Sequence, residues 1–286
     1  VRAGRLVLLV GLAISAHARD AGASGGRRFQ LEPARDLTLT GGAFLVALLL
    51  DREKDDWTGT SPCDEAPTRA ATDAPCDPAR VMAVDRWVVE QGWTAARPAS
   101  DALLATMLAA PLLAGGALAL AHDRPAIAWG EDALVFGQTL GLTLLVTGAL
   151  KVAARRPRPL TYDARWSVAE RHDGDARLSF PSGHSAAAFA SASYLAVLLL
   201  EREGPRPAAL VAVTAGYLAA ATVAGLRVAG AKHFLTDVLT GAAVGTLFGL
   251  GIPLLLLPGQ RTRSDALGAS SAGSAAAPVF AFGGAF

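Results

Sequence analysis

The sequence predicts an all-α, polytopic membrane bundle of about five to six transmembrane helices, with a functional site gathered at helix ends on one face. Three observations carry this expectation. Only 18% of the 286 residues are charged and 52% are hydrophobic, whereas soluble domains carry about 25% charged residues. The uncharged residues fall into blocks at 102–121, 133–150, 185–200, 207–226 and 238–260, of 20, 18, 16, 20 and 23 residues. Each is close to the roughly 20 apolar residues that cross a hydrocarbon core. Third, the polar clusters that interrupt the pattern sit at block boundaries. The composition excludes disorder for most of the chain, and 26 basic against 25 acidic residues leave no net field that would favour nucleic acid. The competing reading is a very apolar soluble helical bundle, since many blocks are rich in Ala and Gly rather than Leu.

Taken in order, residues 1–18 read as an export signal. Arg2 and Arg5 precede an apolar stretch at 6–15, and Ala16-His17-Ala18 is a small-x-small cleavage pattern. Cleavage after Ala18 is expected, the alternative being an uncleaved cytoplasmic N-terminus. A Gly/Ala/Arg linker at 19–35 follows. The region 36–100 opens with a short helix at 37–50, between Asp36 and Asp51. Its 14 residues suit a re-entrant, interfacial or buried helix, or a thin first span. A loop at 51–80, rich in Pro, Asp and Thr, carries the only two cysteines, Cys63 and Cys76. A disulfide there fits an oxidising compartment, and C-x12-C without a nearby His is a poor zinc site. Within 81–93, Val81, Val84, Trp87 and Val88 recur at helical spacing. That predicts an amphipathic helix, with Arg86, Trp87 and Trp93 suited to a membrane interface. The region 101–258 is the five-helix core, and 259–286 is a flexible Ser/Gly/Ala-rich tail.

Loop charge sets the expected sidedness. Arg124, Arg202, Arg206, Arg261 and Arg263 fall in connections that alternation places on one side, and positive-inside bias makes that side cytoplasmic. The opposite side, periplasmic or exterior, then holds 51–101, 151–184 and 227–237. A cleaved signal leaves the new N-terminus outside, so a spanning 37–50 would reverse every later segment.

Three clusters carry chemistry, all at helix ends on that opposite side. The first is Lys151-Val-Ala-Ala-Arg155-Arg156-Pro157-Arg158-Pro159. Lys151 and Arg155 are four apart, on one face of a helix end, and the prolines stop the helix and place Arg158 in an extended turn. Several cations on a rigid turn suit an oxyanion, although a juxtamembrane basic collar would look the same in isolation. The second is Phe180-Pro181-Ser182-Gly183-His184-Ser185, directly before an apolar block. Ser182 is a good N-cap, Gly183 allows close backbone approach, and the free N–H groups of the helix start make an anion site. His184 sits in the first turn, able to give or take a proton; an ordinary capped helix start is the bland alternative. The third runs from Leu226 to Asp237 and contains Arg227, Lys232 and His233. His233 and Asp237 stand at i and i+4, which lets a carboxylate hold one imidazole nitrogen as N–H and leave the other as a nucleophile. Charged groups at the mouth of a span are by default functional. Together the clusters describe phosphoryl transfer without a metal: cations neutralise the phosphate, one His attacks and the other protonates the leaving oxygen.

Lys-x6-Arg-Pro (Lys151, Arg158, Pro159), Pro-Ser-Gly-His (181–184) and Arg-x5-His-x3-Asp (Arg227, His233, Asp237) resemble the three signature motifs of the type 2 phosphatidic acid phosphatase superfamily, in the same order, over roughly 100–258. The resemblance implies that His233 forms a phosphohistidine, that Asp237 orients it and that His184 is the general acid. Lys151, Arg158, Ser182, Gly183 and Arg227 would hold the phosphate. One departure is Leu226, where the family usually has Ser before the third-motif Arg. Arg155 and Arg156 are extra cations, for a diphosphate or anionic headgroup or simply a solvated face.

The resemblance implies no cofactor and no metal, a phospholipid or polyprenyl phosphate as substrate, a membrane location, and neither a nucleic-acid partner nor an obligate protein partner. Undecaprenyl diphosphate, phosphatidylglycerol phosphate, phosphatidate and the lipid A phosphate all fit. A soluble periplasmic acid phosphatase or a vanadium-dependent haloperoxidase would share the site, but the apolar blocks argue against both. A non-catalytic lipid-phosphate binding or transport protein would need the anion site without the His233–Asp237 couple.

Overall fold

A computed structural model describes residues 29–52, 63 and 74–257. The expected export signal at 1–18, most of the linker and of the 51–80 loop, and the tail at 259–286 lie outside the described residues. Among the described residues the regular structure is entirely helical. Six helices are long and apolar enough to cross a membrane: α1 Pro33–Arg52, α2 Ala96–Ala121, α3 Ala126–Ala154, α4 Gly183–Glu203, α5 Pro207–Ala229 and α6 Leu235–Leu256.

Five of these overlap the uncharged blocks and extend past them, because each carries polar residues in its end turns: Ser100 and Asp101, Lys151, His184, Arg227 and Asp237. The first helix departs from expectation. It is 20 residues long, not 14, and starts at Pro33, a residue pre-set for a first helical turn. Asp36, 1% exposed, accepts the Glu32 N–H at 2.7 Å and is gripped by Arg35 at 3.0 Å. An N-terminal clamp of this kind, about 1 kcal/mol, carries the helix back beyond the acidic boundary. Its length therefore permits a span.

The 81–93 stretch is a second correction. Within it the helical spacing is realised as one short 3-10 turn, Arg86–Glu90, with another, Pro78–Arg80, just ahead of the stretch. Val81, Val88 and Val89 are buried against Phe234 and Val238, while Val84, Trp87 and Trp93 stay exposed. Regular helix is lost because Asp85 turns inward, is fully buried, and bonds to Thr236 and Arg156.

α4 is the central helix, packed by α2, α3, α5 and α6. Two-thirds of its apolar window is buried (67%), against 11% for α1, which lies on the outside of α3. Its Ala- and Ser-rich sequence makes a narrow helix, and α6 meets it with Gly241, Gly245 and Gly249. A Cβ at these positions would run into the backbone of Ser182, Ala186 and Ala190. Small residues at four-residue spacing let two backbones approach. Here they bring the start of α4 beside the start of α6, where Ser182 N–H donates to Asp237 O at 3.0 Å and Ser185 Oγ to Val238 O at 2.7 Å.

The first helix starts at the end of the bundle away from the site. Gln30 N–H donates to Leu256 O at 2.7 Å, and Phe29 packs with Tyr194, Leu256 and Leu257. That far end also holds the Asp132–Arg202 pair at 2.7 Å. Six traverses therefore return the chain to the end from which α1 began.

Candidate active site

The C-terminal turns of α3 and α5 and the N-terminal turns of α2, α4 and α6 converge at the other end. Lys151 occupies the last basic turn of α3. A methyl group added at Gly183 would stand 3.7 Å from its ammonium nitrogen, so glycine keeps clear the space between that cation and the N–H groups opening α4. Ser182 caps α4 by accepting the Ser185 N–H at 3.3 Å.

Arg155 does not share the helix face with Lys151. It is the C-cap in the left-handed region (φ 46°), exposed, with Nε donating to Val152 O at 3.3 Å. The prolines that follow leave too few N–H groups for another turn. Arg158 is extended (φ −75°, ψ 156°) and 2% exposed. It donates from Nε to Asp175 O at 2.7 Å, from Nη2 to Asp175 Oδ2 at 2.6 Å and from Nη1 to Lys232 O at 3.2 Å. Its two terminal nitrogens each keep a second N–H.

Arg227 is buried. Its Nη1 donates to Ser100 Oγ at 3.2 Å and Asp101 Oδ1 at 3.1 Å, and its Nε is buried without an acceptor among the described residues. Asp101 Oδ1 also lies 2.9 Å from His184 Nε2. A carboxylate there favours a proton on that nitrogen and leaves Nδ1 for a substrate.

His233 is 1% exposed, and its Nδ1 lies 2.7 Å from the carbonyl oxygen of Ser179. A carbonyl only accepts, so Nδ1 carries the hydrogen and Nε2 the lone pair. Burial, reinforced by Arg158, Arg227, Lys151 and His184, holds the imidazole well below its ordinary pKa. Both effects favour the neutral ring.

The direct His233–Asp237 bond expected from i, i+4 spacing is replaced by this arrangement. Asp237 Oδ2 stands 3.8 Å from Nδ1. Helix α6 begins at Leu235, so His233 precedes the first turn and the helical face rule does not apply to it. Asp237 instead accepts from Phe234 N–H at 2.7 Å, from the Ser179 hydroxyl and from Arg156 Nη1 at 2.6 Å. It fixes the residue whose carbonyl holds His233. Arg156, read above as a spare cation, belongs to this network, with its guanidinium 4.3 Å from the centre of the Phe234 ring.

Lys232 is tied through its backbone, donating to Arg227 O at 3.0 Å and accepting from Arg158. Burial, then Arg158, Arg97 and Arg227, lower its pKa to about 8 against the opposing pull of Asp175. The rim is closed by Arg97, which donates to Gly230 O at 3.0 Å, pairs with Glu170 at 3.1 Å and stacks on Trp166. Cys63 and Cys76 form a disulfide. The Cys76 N–H donates to Thr161 O at 3.0 Å, which ties the Cys63–Cys76 pair to the same end.

The structure therefore brings Lys151, Arg158, Ser182, Gly183, His184, Arg227, His233 and Asp237 to one end of the bundle. Ser100, Asp101, Ser179, Asp85 and Arg156 were not singled out as site residues. Asp101 had a usable signal: it sits at the mouth of an apolar block, as His184 and Asp237 do.

Residues 132–258 match the PAP2 superfamily. The chain is 34% identical over 126 residues to a PA-phosphatase related-family protein of Dictyostelium discoideum, covering 41% of this chain and 46% of that one. It is 35% identical over 123 residues to a lipid A 1-phosphatase of Porphyromonas gingivalis, covering 42% of this chain and 23% of that one. The chain thus spans less than half the length of these curated relatives. Among solved structures, a transmembrane PAP2-type phosphatidylglycerolphosphate phosphatase from Bacillus subtilis superposes with a TM-score of 0.45 and 19% identity, over 75% of this chain and 94% of that one.

Proposed function

We propose, from the premise that residues 132–258 form a PAP2-superfamily segment, that this membrane protein is a phosphatase of lipid phosphates or diphosphates acting through a phosphohistidine. The observation that carries the reading is His233, buried, with Nδ1–H held by the Ser179 carbonyl and Nε2 left as a lone pair. An imidazole of fixed tautomer is a ready nucleophile, and the cations Arg158, Arg227 and Lys151 act on it.

In the first step Nε2 of His233 bonds to phosphorus as the P–O ester bond breaks, and His184, entering the step protonated on both nitrogens with Nε2–H on Asp101, gives its Nδ1 proton to the departing lipid oxygen. In the second, water attacks the phosphohistidine, His184 takes a water proton, the P–N bond breaks and inorganic phosphate leaves. Lys151, Arg158, Arg227 and the N–H groups at the start of α4 neutralise the phosphoryl oxygens throughout. The buried, unmet Nε of Arg227 is a donor that a bound oxyanion would satisfy. The donor set suits an oxyanion rather than a divalent cation, which favours chemistry without a metal.

A lipid substrate is supported by an apolar groove between α1 and α3, lined by Phe44, Leu48, Leu144 and Gly148 and opening on Lys151 and Gly183. An outward-facing site is supported by two features. The Cys63–Cys76 disulfide lies at the site end, and Arg124, Arg202 and Arg206 lie at the other. With α1 spanning, that orientation places residues 29–32 on the cytoplasmic side.

The decisive experiment is phosphate release by detergent-purified protein over a panel of lipid phosphates, with EDTA present, beside His233→Ala. Release should survive EDTA and fall by at least about 10³-fold in the variant. No release from any lipid, with both proteins still binding phosphate lipids, would make this a binding protein instead.

A further inference from the structure

Asp237 is held from two directions. On one side are the Phe234 N–H and the Ser179 hydroxyl; on the other is Arg156, which reaches Asp85, outside the matched segment 132–258. Arg156 Nη1 donates to Asp237 Oδ1 at 2.6 Å and to Thr236 Oγ1 at 2.7 Å, and Nη2 donates to Asp85 Oδ2 at 2.8 Å. Thr236 in turn donates from its hydroxyl to Asp85 Oδ2 at 2.6 Å and from its N–H to Asp85 Oδ1 at 3.1 Å. The proton count closes, since the Thr236 hydroxyl accepts one bond and donates one. Asp85 and Asp237 are both 0% exposed. One guanidinium therefore bridges two buried carboxylates. The Ser179 N–H donates to Arg156 O at 3.0 Å, so Arg156 grips both ends of the route from Asp237 to the carbonyl that holds His233.

We propose that Asp85 and Arg156 are positioning residues of the catalytic centre: the turn Arg86–Glu90 and its N-cap Asp85 complete the site by fixing Asp237, and through it Ser179 and the ring of His233. The inference rests on the phosphatase reading of His233. The network carries one more negative charge than positive, counting Asp85, Asp237 and Arg156, and it lies beside the nitrogen of His233 that does not attack, with Asp237 Oδ2 3.8 Å from Nδ1. When Nε2 takes the phosphoryl group with Nδ1 still protonated, the imidazole becomes cationic. A fixed carbonyl backed by a net anionic cluster favours that state. The phosphate contacts of Lys151, Arg158 and Arg227 lie elsewhere, so binding should be spared. The cations Arg158, Arg227 and Lys151 also act on His233 and favour its neutral form before the phosphoryl group arrives.

The test compares wild type, His233→Ala, Asp85→Asn and Arg156→Lys in detergent, reading kcat, KM, inhibition by inorganic phosphate and thermal melting. Asp85→Asn keeps shape and removes charge; Arg156→Lys keeps charge and removes the fork. Each should lower kcat by about 10- to 100-fold, with KM and the phosphate inhibition constant within about threefold of wild type. The double variant should be no worse than the poorer single one, because the two residues act through one route. Thr236→Val, which deletes only the bridging hydroxyl, should lower kcat in the same sense and serves if Asp85→Asn does not fold. Folded variants with wild-type kcat, or a matched loss in KM and phosphate inhibition, would overturn the inference and leave the phosphatase reading standing. A wild type with no turnover of any lipid phosphate would remove both.

Discussion

His233 and Lys232 are adjacent, share the same surrounding cations, and are affected in opposite functional senses. Burial and neighbouring positive charge favour the neutral form of His233, which a nucleophile needs. The same forces bring the Lys232 pKa to about 8, so its positive charge is present below that pH and lost above it. Affinity for an anionic lipid should therefore weaken on the alkaline side. KM should rise by about threefold to tenfold between pH 7 and 9, and Lys232→Arg, whose guanidinium stays charged, should lessen that rise. The facing groups Arg158, Arg97, Arg227 and Asp175 are unaltered in this variant. Leu226 removes a hydroxyl from the rim relative to the family pattern, and the hydroxyl found on Arg227 comes from Ser100, 127 residues away on α2.

The decisive contact between elements is α4 against α6, because it sets the position of Ser182 and His184 relative to His233 and Asp237. Backbone approach this close tolerates no side chain at Gly241, Gly245 or Gly249. Gly245→Ala should cost about 1–3 kcal/mol by overpacking, read as a lower melting temperature in detergent together with reduced turnover. Gly251→Ala, on the same helix with nothing within 4 Å of the added carbon, should change neither. Equal behaviour of the two variants would show that the helix pair is looser than drawn. The turns at Pro78–Arg80 and Arg86–Glu90 illustrate the competing force: one buried, fully bonded carboxylate at Asp85 outweighs the helix that the valine spacing favours.

For the whole molecule, six traverses put the start of α1 and the end of α6 at one end and all eight site residues named from the sequence at the other. Orientation then follows from a single sidedness measurement. In intact cells, an impermeant reductant followed by an impermeant maleimide should label Cys63 and Cys76, while a tag ahead of residue 29 should need permeabilised cells. Labelling of the cysteines only after permeabilisation would put the site in the cytoplasm and reverse the proposed orientation.

Apolar block length follows from local composition, so helix number and approximate extent in the 101–258 core were readable without a fold. So were the three polar clusters at the helix ends, and the resemblance of their spacing to a known set of motifs picked Lys151, Arg158, Ser182, Gly183, His184, Arg227, His233 and Asp237 out of them. Contacts between distant segments were not readable. Asp85 looks like any aspartate in a polar loop until Thr236, 151 residues on, supplies its partners. Arg156 looks like a spare cation until two carboxylates claim it. The i, i+4 spacing suggested that Asp237 binds His233 directly, but the helix starts two residues later and gives that bond to Ser179. Sequence by itself determined which residues must leave the apolar phase. Tertiary structure decided which of them meet, because a buried charge takes the partner that packing brings within hydrogen-bond reach, whatever its distance along the chain.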